Sequence, residues 1–153
     1  MASIVVAKLV EQNLLNYDDK IVKYWPTFAN KENPEKTEIT IADVLRHESG
    51  LSWINHTFAK DDFLLENIKK NKVGQVLEKE PLHMPGFGGD QNTPTNREYH
   101  TITRGIVLNE IVRRVDPKGR TIGEIVKEVN FRFFRNFDFF LSILCYRVGN
   151  SKS

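Results

Sequence analysis

A chain of 153 residues amounts to one domain at most, long enough to bury a core, and its 40% apolar and 27% charged residues are ordinary for a globular protein. A formal net charge of +2, built from basic residues interleaved with acidic ones, gives no field of the kind that draws nucleic acid. The single cysteine, Cys145, excludes an intramolecular disulfide framework and suits a reducing compartment.

The first residues, Met1 to Lys8, carry no basic stretch ahead of their apolar run, and Lys8 interrupts that run early. No signal peptide is expected, no window is long enough to span a bilayer, and an intracellular location is the default. Asn55-His56-Thr57 has the form of a glycosylation sequon, a triplet that arises often by chance.

From Ser3 to about Leu15 apolar residues occupy more than one helical face, which predicts a buried helix. Asn13 or Asn16 is suited to end it, because Asn tolerates the left-handed conformation. Asp18 and Asp19 then open a short helix through Ile21, Val22 and Tyr24, stopped at Pro26. Thr40 and Asp43 have capping-box spacing, and Ile39 and Val44 have the spacing of a hydrophobic staple, so a helix starts there and ends before Gly50. Further helices are expected after Asp61-Asp62 and over Val73 to Lys79, the latter ended by Pro81.

Pro85 to Arg97 holds three of the nine glycines and two of the six prolines, which is loop chemistry. A helix with Gly105, Leu108, Val112 and Val115 on one stripe follows, then a turn at Asp116-Pro117-Lys118-Gly119. Thr121 and Glu124 repeat the capping-box spacing ahead of Ile125 and Val129. Six of the ten phenylalanines lie between Phe131 and Phe140, interrupted by Arg132, Arg135 and Asp138, with neither a two-residue nor a helical period. Burying a Phe is worth roughly 1.5–3 kcal/mol, so this tail is expected to seek an apolar surface on the body.

Three motifs fail on spacing. His47-Glu48 opens a zinc-protease pattern, but Leu51 stands where the second histidine must be. Gly86-Phe87-Gly88-Gly89 lacks the third dinucleotide glycine, Gln91 being there, and no Lys-Ser or Lys-Thr pair follows it. No Gly-x-Ser-x-Gly elbow occurs, and Cys145 among Ile143, Leu144 and Tyr146 reads as an inert thiol. No metal and no cofactor are expected.

Four segments, in order, resemble the β-lactamase-related serine hydrolases, which include class C β-lactamases, penicillin-binding carboxypeptidases and related esterases. Lys8 to Ile21 is similar to the family's Leu-Val-Glu-Glu-Gly stretch and the Leu-x-Leu-Asp-Asp-Pro-Val after it, with Asn13 in place of the usual glycine. Tyr24-Trp25-Pro26-Thr27-Phe28 resembles Tyr-Leu-Pro-Glu-Phe. Ile39 to Leu51 resembles Ile-Thr-Val-Arg-His-Leu-Leu-Thr-His-Thr-Ser-Gly-Leu. Glu98-Tyr99-His100 through Gly105, continuing over Glu110 to Val115, resembles the second catalytic block in its Tyr-His form. The likeness covers roughly residues 3 to 129.

The resemblance implies a three-part chemistry. A serine three residues before a lysine on one helix is the nucleophile. A tyrosine of the second block moves the proton. A Lys-x-Gly or His-x-Gly strand lines the oxyanion site. Tyr99 is the one catalytic position that carries over. None of Ser3, Ser49, Ser52 and Ser142 has a lysine three residues on, and the family places its Ser-x-x-Lys just before the segment that opens at Ala2. The stretch between Pro85-Gly86 and Tyr99 is longer than the family's, and His83 stands near a position that is often Trp. His47 and Ser49 form a tempting His–Ser pair, but the resemblance makes their segment structural.

The expectation is therefore a mainly α chain, the helical subdomain of the α+β β-lactamase/transpeptidase-like fold with little or no sheet. Residues 1–130 form the partial domain and 131–153 a divergent Phe-rich tail. The function implied is that of a truncated serine hydrolase, inactive by itself, whose complete relatives cleave esters or amides through an acyl-enzyme. The ligand expected is a small ester, amide or peptide, with no nucleic acid and no membrane span. The alternative is a non-catalytic binding remnant or regulatory pseudoenzyme.

Overall fold

The computed structural model describes residues 1–83 and 98–133, the last four by backbone alone. The expected loop from Pro85 to Arg97, the Phe-rich tail beyond Phe133 and Cys145 lie outside the described residues.

Among the described residues six α-helices follow one another: α1 (Ala2–Glu11), α2 (Ile41–Leu45), α3 (Leu65–Lys69), α4 (Lys72–Lys79), α5 (Thr103–Val115) and α6 (Ile122–Phe133). Short 3₁₀ turns at Ile21–Lys23, Pro26–Phe28, Pro34–Glu38 and Lys60–Phe63 fill the connections. Among the described residues there is no strand; one isolated antiparallel bridge joins Lys20 to Thr40. The expected helical, sheet-poor architecture is what is found.

Helix α5 is the centre. Its Val107, Leu108, Ile111 and Val112 are almost wholly buried, and it packs against α1, α2, α4 and α6. Val5, Val6 and Leu9 of α1, Val44 of α2, and Val73 and Leu77 of α4 complete the core around it. Each such side chain contributes roughly 1.5–3 kcal/mol relative to exposure.

Both expected capping boxes form. The Asp43 amide donates to Thr40 Oγ1 at 3.2 Å, and the Thr40 amide to Asp43 Oδ2 at 2.8 Å. The Glu124 amide donates to Thr121 Oγ1 at 3.2 Å, and the Thr121 amide to Glu124 Oε2 at 2.9 Å. Asn13 takes the left-handed conformation, φ +56°, and ends α1 as expected.

Two local expectations change. Helix α1 is not buried all round: Ile4 is 67% exposed while Val6 is fully covered, because α5 and α6 meet only one side of it. The segment after Asp18-Asp19 makes a single 3₁₀ turn rather than an α-helix, since Pro26 follows too soon and itself opens the next turn.

A polar seam holds α4 to α5. The Arg114 guanidinium lies 3.9 Å from the centroid of Trp25, and its Nη1 donates to Glu110 Oε2 at 2.7 Å. Trp25 Nε1 donates to Glu78 Oε1 at 2.8 Å. Asn71 Oδ1 accepts from Arg113 at 3.1 Å and from Arg114 at 2.5 Å. Gly74 packs against this seam, and a Cβ there would stand 2.1 Å from Asn71 Oδ1 and 2.9 Å from Arg114 Nη2. Lys36, fully buried, donates from Nζ to the carbonyls of Leu77 at 2.8 Å and Glu78 at 3.3 Å, satisfying the otherwise unpaired end of α4. Among the described residues no helix is long and apolar enough to cross a membrane.

Candidate functional site around Tyr99

The site forms where the loop leaving α2 meets the segment entering α5. Helix α2 stops after five residues through a left-handed turn at His47, φ +65°. The His47 amide donates to the Val44 carbonyl at 3.3 Å and the Glu48 amide to the Asp43 carbonyl at 2.7 Å. This is the Schellman pattern, with histidine where glycine is the usual residue. A left-handed backbone at a residue with a Cβ costs on the order of 1–2 kcal/mol.

That turn aims residues 47–53 along residues 98–103. The Glu98 amide donates to the His47 carbonyl at 3.1 Å. The His100 amide donates to His47 Nδ1 at 3.0 Å, and Thr103 Oγ1 to the Ser52 carbonyl at 3.3 Å. On its other side the loop accepts the His83 amide at the Gly50 carbonyl, 2.8 Å away. Gly50 has φ +72°, and a Cβ on it would stand 3.3 Å from the His83 carbonyl oxygen, so both conformation and space favour glycine.

Tyr99 is 72% exposed on this platform. Its ring centroid lies 4.9 Å from that of His47, with planes inclined at 32°. His100 points the other way, into the core, and is 2% exposed. Its Nδ1 lies 2.5 Å from the Glu98 carbonyl oxygen and its Nε2 3.0 Å from Ser49 Oγ. A carbonyl only accepts, so Nδ1 carries the proton and Ser49 donates to Nε2. Burial lowers the His100 pKa below the ordinary imidazole value, which keeps the ring neutral.

Ser49 is likewise 2% exposed. The tempting sequence pairing of His47 with Ser49 is not what forms: Ser49 bonds His100, fifty-one residues on. Spacing alone carries no signal for such a contact. Neither is the stacking of Trp53 on His83, centroids 3.7 Å apart and planes 14° apart, visible in the chain order. With Ser49 and His100 both out of reach of solvent, their bond fixes the platform and is not placed to attack a substrate.

Helix α1 begins at the same end of the molecule. Arg104, in the first turn of α5, donates from Nη2 to Ser3 Oγ in the first turn of α1 at 2.7 Å. Among the described residues no group of three or more His, Cys, Asp or Glu stands close enough to hold a metal ion.

Known proteins share this architecture and about a quarter of the aligned residues. The chain is 26% identical over 133 residues to the esterase/beta-lactamase LipL of Mycobacterium tuberculosis, an alignment that covers 80% of this chain and 29% of that protein. Among solved structures, EstA from Arthrobacter nitroguajacolicus Rue61a superposes with a TM-score of 0.61 at 30% identity, covering 83% of this chain and 30% of EstA. A penicillin-binding protein homologue from Caulobacter crescentus gives a TM-score of 0.58 at 26% identity over 83% of this chain and 30% of its own. A family VIII carboxylesterase shares the fold, with a TM-score of 0.62 at 23% identity over 83% of this chain and 31% of its own. The chain thus spans about three-tenths of the length of these proteins. The family model for Beta-lactamase matches residues 1–142, nearly the whole sequence, and the chain belongs to that family.

Proposed function

We propose that the chain provides the helical part of a serine hydrolase acting on a small ester, amide or peptide through an acyl-enzyme, with Tyr99 as its proton-transfer group. The observation that carries this reading is the placement of Tyr99, 72% exposed, on a platform built by the His47–Ser52 loop. A phenol so placed is open to a leaving group, whereas Ser49 and His100 beneath it are not. Membership of the β-lactamase family and likeness to an esterase/beta-lactamase support the reaction class.

The same proposal holds that these 153 residues do not turn over substrate by themselves. They contain no Ser-x-x-Lys. Loss of a nucleophile removes on the order of 10⁶-fold of the rate in comparable sites. In the resemblance that pair sits on the residues leading into α1, and the Arg104–Ser3 bond brings the first turn of α1 to the end of the molecule that carries Tyr99.

The purified chain is expected to hydrolyse neither a p-nitrophenyl ester nor a chromogenic β-lactam above background, and to take up no active-site phosphonate. Stoichiometric labelling of a serine would overturn the inactivity. The transcript upstream of the Met1 codon separates the two readings. An in-frame Ser-x-x-Lys within a few codons supports the hydrolase. Its absence there supports the alternative, a non-catalytic binding remnant or regulatory pseudoenzyme.

A further inference from the structure

The hydrolase reading leaves unexplained what holds Tyr99 in place. Among the described residues no hydrogen bond restrains its hydroxyl, and its ring is largely in solvent. An exposed tyrosine on a loop samples several rotamers, and only some of them serve a proton transfer. The contact that selects among them is the ring-to-ring approach of His47, 4.9 Å between centroids at 32°.

His47 is itself held on several sides. Its Nδ1 accepts the His100 amide at 3.0 Å, its carbonyl accepts the Glu98 amide at 3.1 Å, and its own amide donates to Val44 at 3.3 Å. The residues that hold it, Glu98 and His100, flank Tyr99 in the chain. His47 also keeps a left-handed backbone, φ +65°, at a helix-ending position where glycine would relieve the strain.

We infer that His47 is the positioning residue for Tyr99: its imidazole, pinned at Nδ1 by the His100 amide, is the surface that sets the Tyr99 ring. The inference rests on the reading of Tyr99 as the proton-transfer group and adds to it a residue that touches no substrate.

The test uses the 153-residue chain with ring-labelled tyrosine, observed by NMR, the Tyr99 signal being assigned with Tyr99→Phe. In the parent, the Tyr99 ring signals stand upfield of the position of a free tyrosine and show cross-relaxation to the His47 ring. In His47→Gly those signals move to the free-tyrosine position, whichever way the melting temperature goes, since glycine relieves the left-handed turn but removes the acceptor of the His100 amide. His47→Asn, which also tolerates that turn, gives the same loss.

Unchanged Tyr99 signals in His47→Gly, or a parent signal already at the free-tyrosine position, overturn the inference. So does a lowered melting temperature with no movement of Tyr99, which makes His47 an anchor of the loop alone. These spectra need no substrate, so their failure leaves the proton-transfer reading standing. Failure of that reading in turn leaves the spectra as they are.

Discussion

Ser49 and His100 are joined by a 3.0 Å hydrogen bond in which the serine hydroxyl donates to Nε2, and each side chain is 2% exposed. The bond ties the loop after α2 to the segment before α5, and so fixes the platform under Tyr99. Ser49→Ala leaves a buried imidazole nitrogen without a donor, a loss of about 1–3 kcal/mol. Urea unfolding at pH 7 measures it; a midpoint equal to the parent's would show that the bond contributes nothing net. The same pair has a pH signature. Burial lowers the His100 pKa in the fold, so the unfolded chain binds the proton first as pH falls. The stability from neutral His100 is therefore complete above about pH 6.5 and declines as pH drops below that value. The slope should flatten in His100→Gln.

Asp116 predicts a second, more acidic transition. Its carboxylate accepts the amides of Lys118 at 3.0 Å and Arg120 at 2.9 Å, and pairs with the Arg120 guanidinium at 2.6 Å. The Arg120 side chain in the first place, then these amides, hold its pKa down at about 2, against a desolvation that acts the other way. A carboxylate depressed in the fold stabilises above its unfolded pKa and loses that contribution as pH falls through the folded value. The contribution is thus intact above about pH 4 and lost between there and pH 2. Asp116→Asn should cost stability at pH 7 and abolish that part of the acid dependence, as followed by thermal melts between pH 2 and 5. Equal acid slopes in parent and variant would count against the assignment.

These pairs also mark what the sequence can and cannot tell. Thr40 with Asp43, Thr121 with Glu124 and the left-handed Asn13 were legible because their partners lie within four residues and the backbone supplies the geometry. The short helix expected at Ile21 is a single 3₁₀ turn, because charge and apolar spacing alone do not distinguish one turn from several. Tyr99 is proposed as a site residue only through resemblance to a family block; an isolated tyrosine in a polar segment carries no signal of its own. Ser49–His100, Trp25–Arg114 and the burial of Lys36 were invisible, because each joins segments brought together only by the packing of α2, α4 and α5. The adjacency of His47 and Ser49 even pointed to the wrong pair: the left-handed turn at His47 sends the two side chains to different partners.

Lys36 gives the opposite end of the pH range. Desolvation by burial lowers its pKa from 10.5 to about 8, partly countered by Glu35, Glu80 and Glu78. The fold disfavours its charged form, so between about pH 8 and pH 10 the unfolded chain binds more protons and stability rises with pH. The full span of the shift corresponds to about 3 kcal/mol. Lys36→Met removes the titration but leaves the Leu77 and Glu78 carbonyls without their donor. Denaturant unfolding at pH 7.5 and 9.5 should show the parent gaining stability over that interval more than the variant does. Parallel behaviour of the two proteins would mean that Lys36 is hydrated in the fold.

The Asn71–Arg114 seam supplies a prediction of sign. Glycine inside a helix is normally a liability, and Gly→Ala is worth up to about 1 kcal/mol of helix propensity. At Gly74 the added methyl would sit 2.1 Å from Asn71 Oδ1 and 2.9 Å from Arg114 Nη2. Both atoms are side-chain ends, and such ends normally swing aside at little cost. Here they are pinned. Asn71 Oδ1 accepts two arginine hydrogen bonds, and Arg114 is held between the Trp25 ring and Glu110, a residue with no exposed surface. Moving them breaks charge-assisted bonds in a buried place, where each is worth roughly 1.5–3 kcal/mol. The clash therefore outweighs the propensity gain, and Gly74→Ala should destabilise by about 1–2 kcal/mol net. Gly105, on α5, is the control: nothing lies within 4 Å of a Cβ there, so Gly105→Ala should stabilise. Calorimetric melts of the two variants beside the parent decide it; Gly74→Ala melting with or above Gly105→Ala would show the seam to be slack.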